Sequence, residues 1–367
     1  MSGKTVIDGL PASAKGYIIG ELQMHFMLKE ILDQPDVVRR ILSTQQEKAA
    51  EIVRLAKSAE IKNIVLAARG TSDHAGIFGQ YLFQVQNRMP AYLATPSVVT
   101  LYQSQPDFHN TLVIGISQSG KAQDILEYMS AAKQQGCPVV ALTNDVQSSF
   151  AEMSDVCLSL EAGEEKSVAA TKTYLASLTA LALISAHLSG NSRNVADLEE
   201  APELIKHALK SSACVEEIAN QTSRIEECFV VGRGLNYTTA LETALKVMET
   251  SYIRARAYSS ADLMHGPVAA AQAVPCILYV PSDAAFSTVM EVVTRLRESH
   301  TPLTVISSQS QALLEATYAV PMPSPSNPYL EPLVQIVAGQ QYAYHLSVAK
   351  GLNPDKPRGL SKVTVTV

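Results

Sequence analysis

The sequence has no long hydrophobic run and little cysteine. Its longest apolar segment, from Tyr174 to Leu188, is interrupted by serine and threonine, and it predicts a buried core helix and not a membrane span. The five cysteines are scattered and form no C-x-x-C pair, so neither a disulfide framework nor a zinc site is indicated. No G-x-x-x-x-G-K-[ST] motif occurs, which leaves nucleoside triphosphate binding without support. We therefore expect no metal and no cofactor.

Positive charge is not abundant either. The chain has 29 Lys and Arg against 35 Asp and Glu, which gives a net charge of -6. This balance disfavours broad binding to nucleic acid or to an anionic membrane, and a small metabolite is the expected partner. The first residues lack the basic segment and long apolar run of a secretory signal, so we expect a cytoplasmic protein.

What the sequence does contain is a repeated alternation of short and long apolar patterns. With 367 residues, 47% of them hydrophobic, the chain is long enough for two domains with separate cores. A helical pattern runs from Glu21 to Lys57, with a break predicted at Gln34 and Pro35. Short apolar runs then alternate with amphipathic helices, which predicts parallel sheets in an α/β fold. The predicted strands are Asn63–Ala67, Leu112–Ile116, Val139–Thr143, Cys228–Val231, Cys276–Val280 and Leu303–Ser307.

Two parts of the chain follow the same pattern. One strand leads into Arg69 and Gly70, a later strand leads into Arg233 and Gly234, and each pair precedes a helix. The separation of 164 residues (233 minus 69) is about the size of one α/β domain, and it predicts a tandem duplication. We predict an N-terminal helical arm over 1–57, doubly wound parallel-sheet domains over 58–200 and 201–350, and a tail over 351–367.

Hydroxyl side chains follow two of the predicted strands. Gly70 to Ser72 comes after the first strand, and Ser117 to Gly120 comes after the second. Because ligands of open parallel sheets gather at the carboxyl ends of the strands, these hydroxyls and the nearby backbone N–H groups can form a phosphate cradle. Ordinary helix N-capping is the better explanation of either loop taken alone. Two such loops on neighbouring strands favour an anion site.

The segment from Leu241 to Thr250 places three ionisable side chains on one helical stripe. Glu242, Lys246 and Glu249 fall within about 60° of one another, because successive residues of a helix are about 100° apart. The neighbouring stripe is apolar and can bury one flank of the helix; it consists of Leu241, Ala244, Leu245 and Met248. Taken alone, the charged stripe is better explained as a solvated surface helix with i, i+4 ion pairs.

Several motifs occur in a fixed order along nearly the whole chain. They run from His25 to Pro35, through the two hydroxyl loops and Val168 to Lys172, to the charged stripe, His265 to Pro267 and Pro357 to Lys362. In order and spacing they resemble the sugar isomerase (SIS) family, and in particular the isomerase portion of its glucosamine-6-phosphate synthases. The resemblance implies two SIS domains, a sugar-phosphate ligand and a homodimer.

The resemblance also implies roles for individual residues. The predicted phosphate contacts are Thr71, Ser72, Ser117, Gln118 and Ser119, and the predicted sugar contacts are Glu165, Val168 and Ser361. Glu249 resembles the base that moves a proton between C1 and C2, and Lys246 resembles a group that acts on the adjacent oxygens. His265 resembles a ring-opening acid/base donated by the partner subunit. Lys362 resembles an amine that can form a Schiff base.

The sequence departs from the family pattern at several positions. Lys121 and Ala122 replace a Glu-Thr pair, Val98 replaces a Glu, Ala170 replaces a Ser and Met264 replaces a Lys. The loss of a threonine hydroxyl at Ala122 puts one phosphate contact in doubt, whereas Lys121 can supply charge instead. The synthases also carry a glutaminase with a cysteine nucleophile, but no cysteine precedes Cys137 here.

An isomerase set without a glutaminase predicts a deaminase that converts glucosamine 6-phosphate to fructose 6-phosphate and ammonia. The alternatives are an isomerase or deglycase of another aminosugar phosphate, and a regulator that binds a sugar phosphate without chemistry. A pure binder has no need to keep Glu249, His265 and Lys362 together, which favours the enzyme.

Overall fold

The computed structural model describes residues 24–272 and 274–362. The chain enters through three short helices, α1 (Phe26–Leu32), α2 (Gln34–Thr44) and α3 (Gln46–Ser58). The predicted break at Gln34 and Pro35 lies at the start of α2, where the proline occupies the first turn and so needs no hydrogen-bonded N–H. A second break at Gln45 is not apparent in the apolar pattern.

The first sheet contains five parallel strands in the order β2-β1-β3-β4-β5. Its strands are β1 (Asn63–Ala67), β2 (Ala91–Leu93), β3 (Thr111–Ser117), β4 (Val139–Thr143) and β5 (Val156–Ser159). The helices in this part of the chain are α4 (Thr71–Asn87), α5 (Ser97–Thr100), α6 (Gln123–Gln134), α7 (Ser149–Met153) and α8 (Lys172–Ser189).

Three helices then connect the sheets, α9 (Ser192–Leu198), α10 (Ala201–Ala208) and α11 (Ser212–Gln221), with a 3-10 turn at Leu209–Ser211. The second sheet repeats the first, because its order β7-β6-β8-β9-β10 has the same pattern of crossovers. Its strands are β6 (Glu227–Gly232), β7 (Arg254–Ser259), β8 (Cys276–Val280), β9 (Leu303–Ser307) and β10 (Tyr318–Pro321). Its helices are α12 (Asn236–Ser251), α13 (Ser260–Met264), α14 (Val268–Ala271), α15 (Phe286–Glu298), α16 (Ser310–Leu313) and α17 (Glu331–Ala349), with a 3-10 turn at Pro328–Leu330.

The predicted α/β fold with two parallel sheets is therefore confirmed. All six predicted strands are present and are the three inner strands of each sheet, and the four strands that were not predicted are the four sheet edges. The domain boundaries at 57, 200 and 350 stay predictions.

Two long helices are buried along most of their length and carry the core. The apolar segment from Tyr174 to Leu188 belongs to α8, as predicted for a core helix. Helix α17 packs along α12 at Gly339, where a Cβ atom would overlap the hydroxyls of Thr243 and Tyr279. No helix in residues 24–272 and 274–362 is long and apolar enough to cross a membrane.

Helix α12 also reaches the first domain, because it packs against α4. The faces of this helix are oriented differently from the prediction. Leu241 and Leu245 are only partly buried and Met248 is 40% exposed, whereas the charged stripe faces inward. The charges lie in the contact between the two domains and are not a solvated surface stripe.

Candidate functional site

The two predicted phosphate loops lie side by side. Strands β1 and β3 are parallel neighbours, with Ala67 opposite Gly115, so the loops that follow them meet at one edge of the sheet. An ion pair joins the loops, since Arg69 Nε donates to Asp124 Oδ2 over 2.7 Å and Asp124 is buried at the start of α6.

The loop after β3 has a backbone suited to an anion. Gly120 has φ +62° and donates its N–H to Ser117 Oγ at 3.1 Å, and a Cβ atom at this position would overlap the side chain of Ser148. A glycine is therefore needed to let the loop turn back on itself. Three predicted contacts are partly exposed and make no side-chain hydrogen bond within the described part of the chain; they are Ser72, Gln118 and Ser119. Their polar groups are free to meet a ligand.

Thr71 links this cradle to the second domain. Its hydroxyl donates to Glu242 Oε1 at 3.1 Å and accepts a hydrogen bond from Lys246 Nζ, also at 3.1 Å. The side chain predicted to contact phosphate is thus directed toward α12. Thr71 therefore borders both the phosphate cradle and the charged stripe.

Lys246 lies between two carboxylates on α12. Its Nζ atom is 2.6 Å from Glu249 Oε2 and 3.3 Å from Glu242 Oε1, with Lys246 and Glu242 almost fully buried and the Glu249 side chain 22% exposed. Burial alone lowers the pKa of Lys246, but the two carboxylate charges and their hydrogen bonds outweigh burial and raise it. Lys246 is therefore a cation suited to donating hydrogen bonds, while Glu249 is the carboxylate of this group that reaches solvent.

His74 is a member of this cluster that the sequence analysis missed. Its Nδ1 atom is 2.7 Å from Glu242 Oε2, so that Glu242 is held by an imidazole from the first domain as well as by Lys246. The signal available in the sequence was its spacing: His74 follows Thr71 by three residues, which puts both on one face of α4.

A second charged cluster surrounds Glu165. The Lys362 Nζ atom lies 2.7 Å from Glu165 Oε2 and donates to the Ser167 carbonyl at 2.7 Å. The fully buried Glu165 also accepts N–H groups of Thr171 and Thr173 at 2.9 and 3.1 Å. Burial raises the pKa of Glu165, but the Lys362 charge and these hydrogen bonds outweigh it, and the net pKa is lowered. The structure thus brings two predicted site residues, 197 positions apart, into direct contact.

The other two predicted sugar contacts flank this cluster. Val168 is partly exposed and donates its N–H to the Asp355 carbonyl at 3.3 Å, while Ser361 is exposed beside Lys362. Asp355 in turn accepts the N–H groups of Phe26 and Met27 at 2.8 Å each, which ties the tail to α1. The residues after Lys362 alternate valine and threonine, a pattern that predicts a strand, and they lie outside the described residues.

His265 stands apart from both clusters. It follows α13, is exposed, and makes no side-chain hydrogen bond or ion pair with the described residues. The structure does not join it to Glu249 within one chain. Its role, and its donation across a dimer interface, stay predictions.

At the same edge of the second sheet, the chain itself occupies the ends of β8, the counterpart of β3, and of β9, the counterpart of β4. The buried carboxylate of Glu331 accepts the Ser282 N–H at 3.0 Å and the Ser308 hydroxyl at 3.2 Å, after β8 and β9 respectively. Burial raises the pKa of Glu331, although the Ser282 and Ser308 hydrogen bonds oppose the shift. The second sheet therefore presents an internal carboxyl group at the edge where the first sheet has its open cradle.

Known proteins share both the sequence and the architecture. The sequence model of the SIS domain family matches residues 57–186 and 223–348 of this chain. A glutamine–fructose-6-phosphate aminotransferase (isomerizing) of Thermococcus kodakarensis is 34% identical over 354 residues, which cover 94% of this chain and 58% of that protein. The enzyme of the same name from Aquifex aeolicus is 34% identical over 357 residues, with the same coverage. The chain thus spans less than two thirds of the length of these relatives.

A solved structure agrees with these matches. The C-terminal domain of glucosamine-fructose-6-phosphate aminotransferase from Francisella tularensis superimposes with a TM-score of 0.84 at 26% identity, covering 92% of this chain and 99% of that one. Because the two SIS matches fall on the two sheets and together span most of the chain, the protein belongs to the SIS family of phosphosugar isomerases, as a tandem SIS protein similar to the isomerase portion of glutamine–fructose-6-phosphate aminotransferase.

Proposed function

We propose that the protein converts glucosamine 6-phosphate and water to fructose 6-phosphate and ammonia. The observation that supports this most is the line of Glu242, Lys246 and Glu249, which Thr71 joins to the phosphate cradle. A phosphate held by the hydroxyl loops would place the far end of an open sugar along α12. The relatives are named for an isomerising transfer of an amino group between glutamine and fructose 6-phosphate, and deamination runs the isomerase part of that chemistry in reverse.

The charged residues of α12 can supply the proton transfer between carbon atoms that this reaction needs. Glu249 takes the proton from C2 of the open aminoaldose and returns it to C1, while the Lys246 ammonium stabilises negative charge that develops on the adjacent oxygen. As O1 gains a proton and the amino nitrogen loses one, the product is the 2-imine of the ketose, which water hydrolyses to the ketose and ammonia. No outside oxidant is required, because C1 is reduced as C2 is oxidised. Lys362 is an ion-paired cation beside Glu165, so its proton must leave before it attacks a carbonyl carbon.

The direct test is to incubate the purified chain with glucosamine 6-phosphate and to measure ammonia and fructose 6-phosphate. We expect equimolar products, and a loss of at least about 100-fold in kcat for Glu249→Gln, since general base catalysis contributes about that much or more. Glu226→Gln is the control, because Glu226 is an exposed surface carboxylate. Turnover of a different aminosugar phosphate in a substrate panel, or binding without turnover, would replace the proposal by one of the two alternatives.

The exposed position of His265 supports a site completed by a partner subunit, and this can be tested by mixing two inactive variants. In a dimer of one Glu249→Gln chain and one His265→Asn chain, one of the two sites regains both groups if His265 crosses the interface. Random reassociation should then restore about a quarter of the natural activity, since half of the dimers are mixed. If His265 acts within its own chain, the mixture stays inactive.

A further inference from the structure

The N-terminal helix α1 contacts the Lys362 cluster through Glu30. This carboxylate is 5% exposed and accepts the backbone N–H groups of Lys166 and Ser167, the latter at 3.3 Å. The carbonyl of the same Ser167 accepts the Lys362 ammonium at 2.7 Å. One residue of the loop is thus held by Glu30 on its amide side and holds Lys362 on its carbonyl side.

We propose that Glu30 is a positioning residue of the site, which fixes the turn from Glu165 to Ser167 so that this turn holds the Lys362 amine. The chemical use of Lys362 rests on the proposed function, but the positioning contact does not. Glu30 touches neither the phosphate cradle nor the α12 cluster by any hydrogen bond or ion pair within residues 24–272 and 274–362.

The turn needs such an anchor because it has no regular structure of its own. Residues 160–171 lie between β5 and α8 without helix or strand, and Gly163 within them has φ +63°. Two adjacent N–H groups directed at one carboxylate give that segment a fixed orientation. Glu165 then faces the first turn of α8, where it accepts the amides of Thr171 and Thr173.

The tail contacts both helix α1 and the turn through Asp355. Asp355 accepts the first N–H groups of α1 through its carboxylate, and its carbonyl accepts the Val168 N–H. Helix α1, the turn and the tail are therefore joined in pairs, and a shift of any one of them moves the atoms around Lys362. The arm is part of the site and not only an attachment to the first domain.

The test is the reactivity of Lys362 toward a small acylating reagent, measured by mass spectrometry of the labelled peptide against Lys48 as an internal reference. With the carboxyl group removed in Glu30→Ala, we expect the turn to loosen and the labelling of Lys362 to rise about fivefold, because both hydrogen bonds that hold the turn are lost. Glu30→Gln keeps one acceptor oxygen and should give a smaller rise. Asp36→Asn is the matched control, because Asp36 lies in the same arm but is exposed and paired with Arg39 on the surface.

Labelling of Lys362 equal to that of the natural protein in every Glu30 variant that folds would overturn the inference. A second readout is the reaction itself, in which we expect kcat to fall more than KM changes, since Glu30 does not contact the phosphate loops. If the Glu30 variants change the labelling of Lys362 but the natural protein releases no ammonia, the proposed function is refuted and the positioning role stands. If the natural protein releases ammonia but the Glu30 variants leave the labelling of Lys362 unchanged, only the positioning role is refuted.

Discussion

Lys246 has an ordinary place in the sequence, four residues after one glutamate and three before another. The same spacing is common on solvated helices, so the sequence cannot distinguish a buried cluster from a surface pair. Whether the cluster is buried depends on residues that are distant in the sequence. Thr71 and His74, which contact Lys246 and Glu242, lie more than 160 positions away from them. The identity of the charged residues was predictable, whereas their burial was not.

His74 should matter for stability as well as for the site. In His74→Ala the buried Glu242 carboxylate loses a partner, which we expect to lower the free energy of unfolding by about 1–3 kcal/mol. His74→Asn should recover part of this loss, because an amide can donate to the same oxygen. Denaturant unfolding measures both, with the exposed His109→Asn as the control.

The double variant His74→Ala/Glu242→Gln isolates the interaction between His74 and Glu242. If His74 acts through Glu242, the two losses will be strongly non-additive. Purely additive losses would mean that the imidazole stabilises the protein by another route.

Glu30 should make stability depend on pH. Burial, followed by the charge of Glu165, raises the pKa of Glu30 from its ordinary 4.5 to about 7, against the opposing backbone hydrogen bonds and Lys362. Below about pH 4.5 the group is protonated in both folded and unfolded chains. Between 4.5 and 7 only the unfolded chain releases the proton, so stability falls as pH rises and the loss is complete above 7.

The comparison with Glu30→Gln separates this group from other carboxyls. As pH rises from 5 to 7.5, the natural protein should lose stability that Glu30→Gln does not lose. The free energy of unfolding of the variant relative to that of the natural protein should therefore rise by up to about 3 kcal/mol, since one pKa unit corresponds to 1.36 kcal/mol. Urea unfolding at several pH values measures the shift. A difference between the two proteins that stays constant with pH would contradict the assignment.

At the scale of elements, the inner strands were predictable and the edge strands were not. Inner strands are covered on both faces and form nearly continuous apolar runs: β4 and β8 are buried throughout, and all of their residues except Thr143 are apolar. Edge strands are shorter or mixed: β2 has three residues, and β7 begins with exposed arginines that alternate with buried or partly buried alanines. Edge strands form by pairing with a neighbouring strand, and the local hydrophobic pattern does not identify them.

The loop after β3 provides a test of the cradle as an element. Gly120→Ala should weaken binding of a sugar phosphate and destabilise the protein by about 1–3 kcal/mol, because the new methyl group combines backbone strain with overlap of Ser148. Gly136→Ala is a matched control, since Gly136 has φ +77° but open space around its Cβ position. Calorimetric titration with fructose 6-phosphate and thermal unfolding measure the two effects.

The control variant should show the strain alone and bind normally. Equal binding by Gly120→Ala and the natural protein would show that the loop does not hold the phosphate.

At the scale of the whole molecule, the duplication is unequal. Both sheets have the same strand order, but one has open hydroxyl loops and the other has Glu331 at the matching edge. We therefore expect one sugar phosphate to bind per chain. Calorimetric titration with fructose 6-phosphate gives this number directly, and Ser119→Ala should weaken that single event. A second binding event that survives Ser119→Ala would contradict the expectation.

Glu331 also starts α17, the helix that lies along α12 and is packed against it at Gly339. Because Glu331 is part of the chain, its contacts at this edge need no ligand, and we expect the second sheet and the packing of α17 on α12 to be the same with and without a bound sugar phosphate. A ligand in the cradle would act on the other side of α12, where Thr71 and His74 contact its charged side chains. We therefore expect any rearrangement on binding to be concentrated in the loops of the first domain.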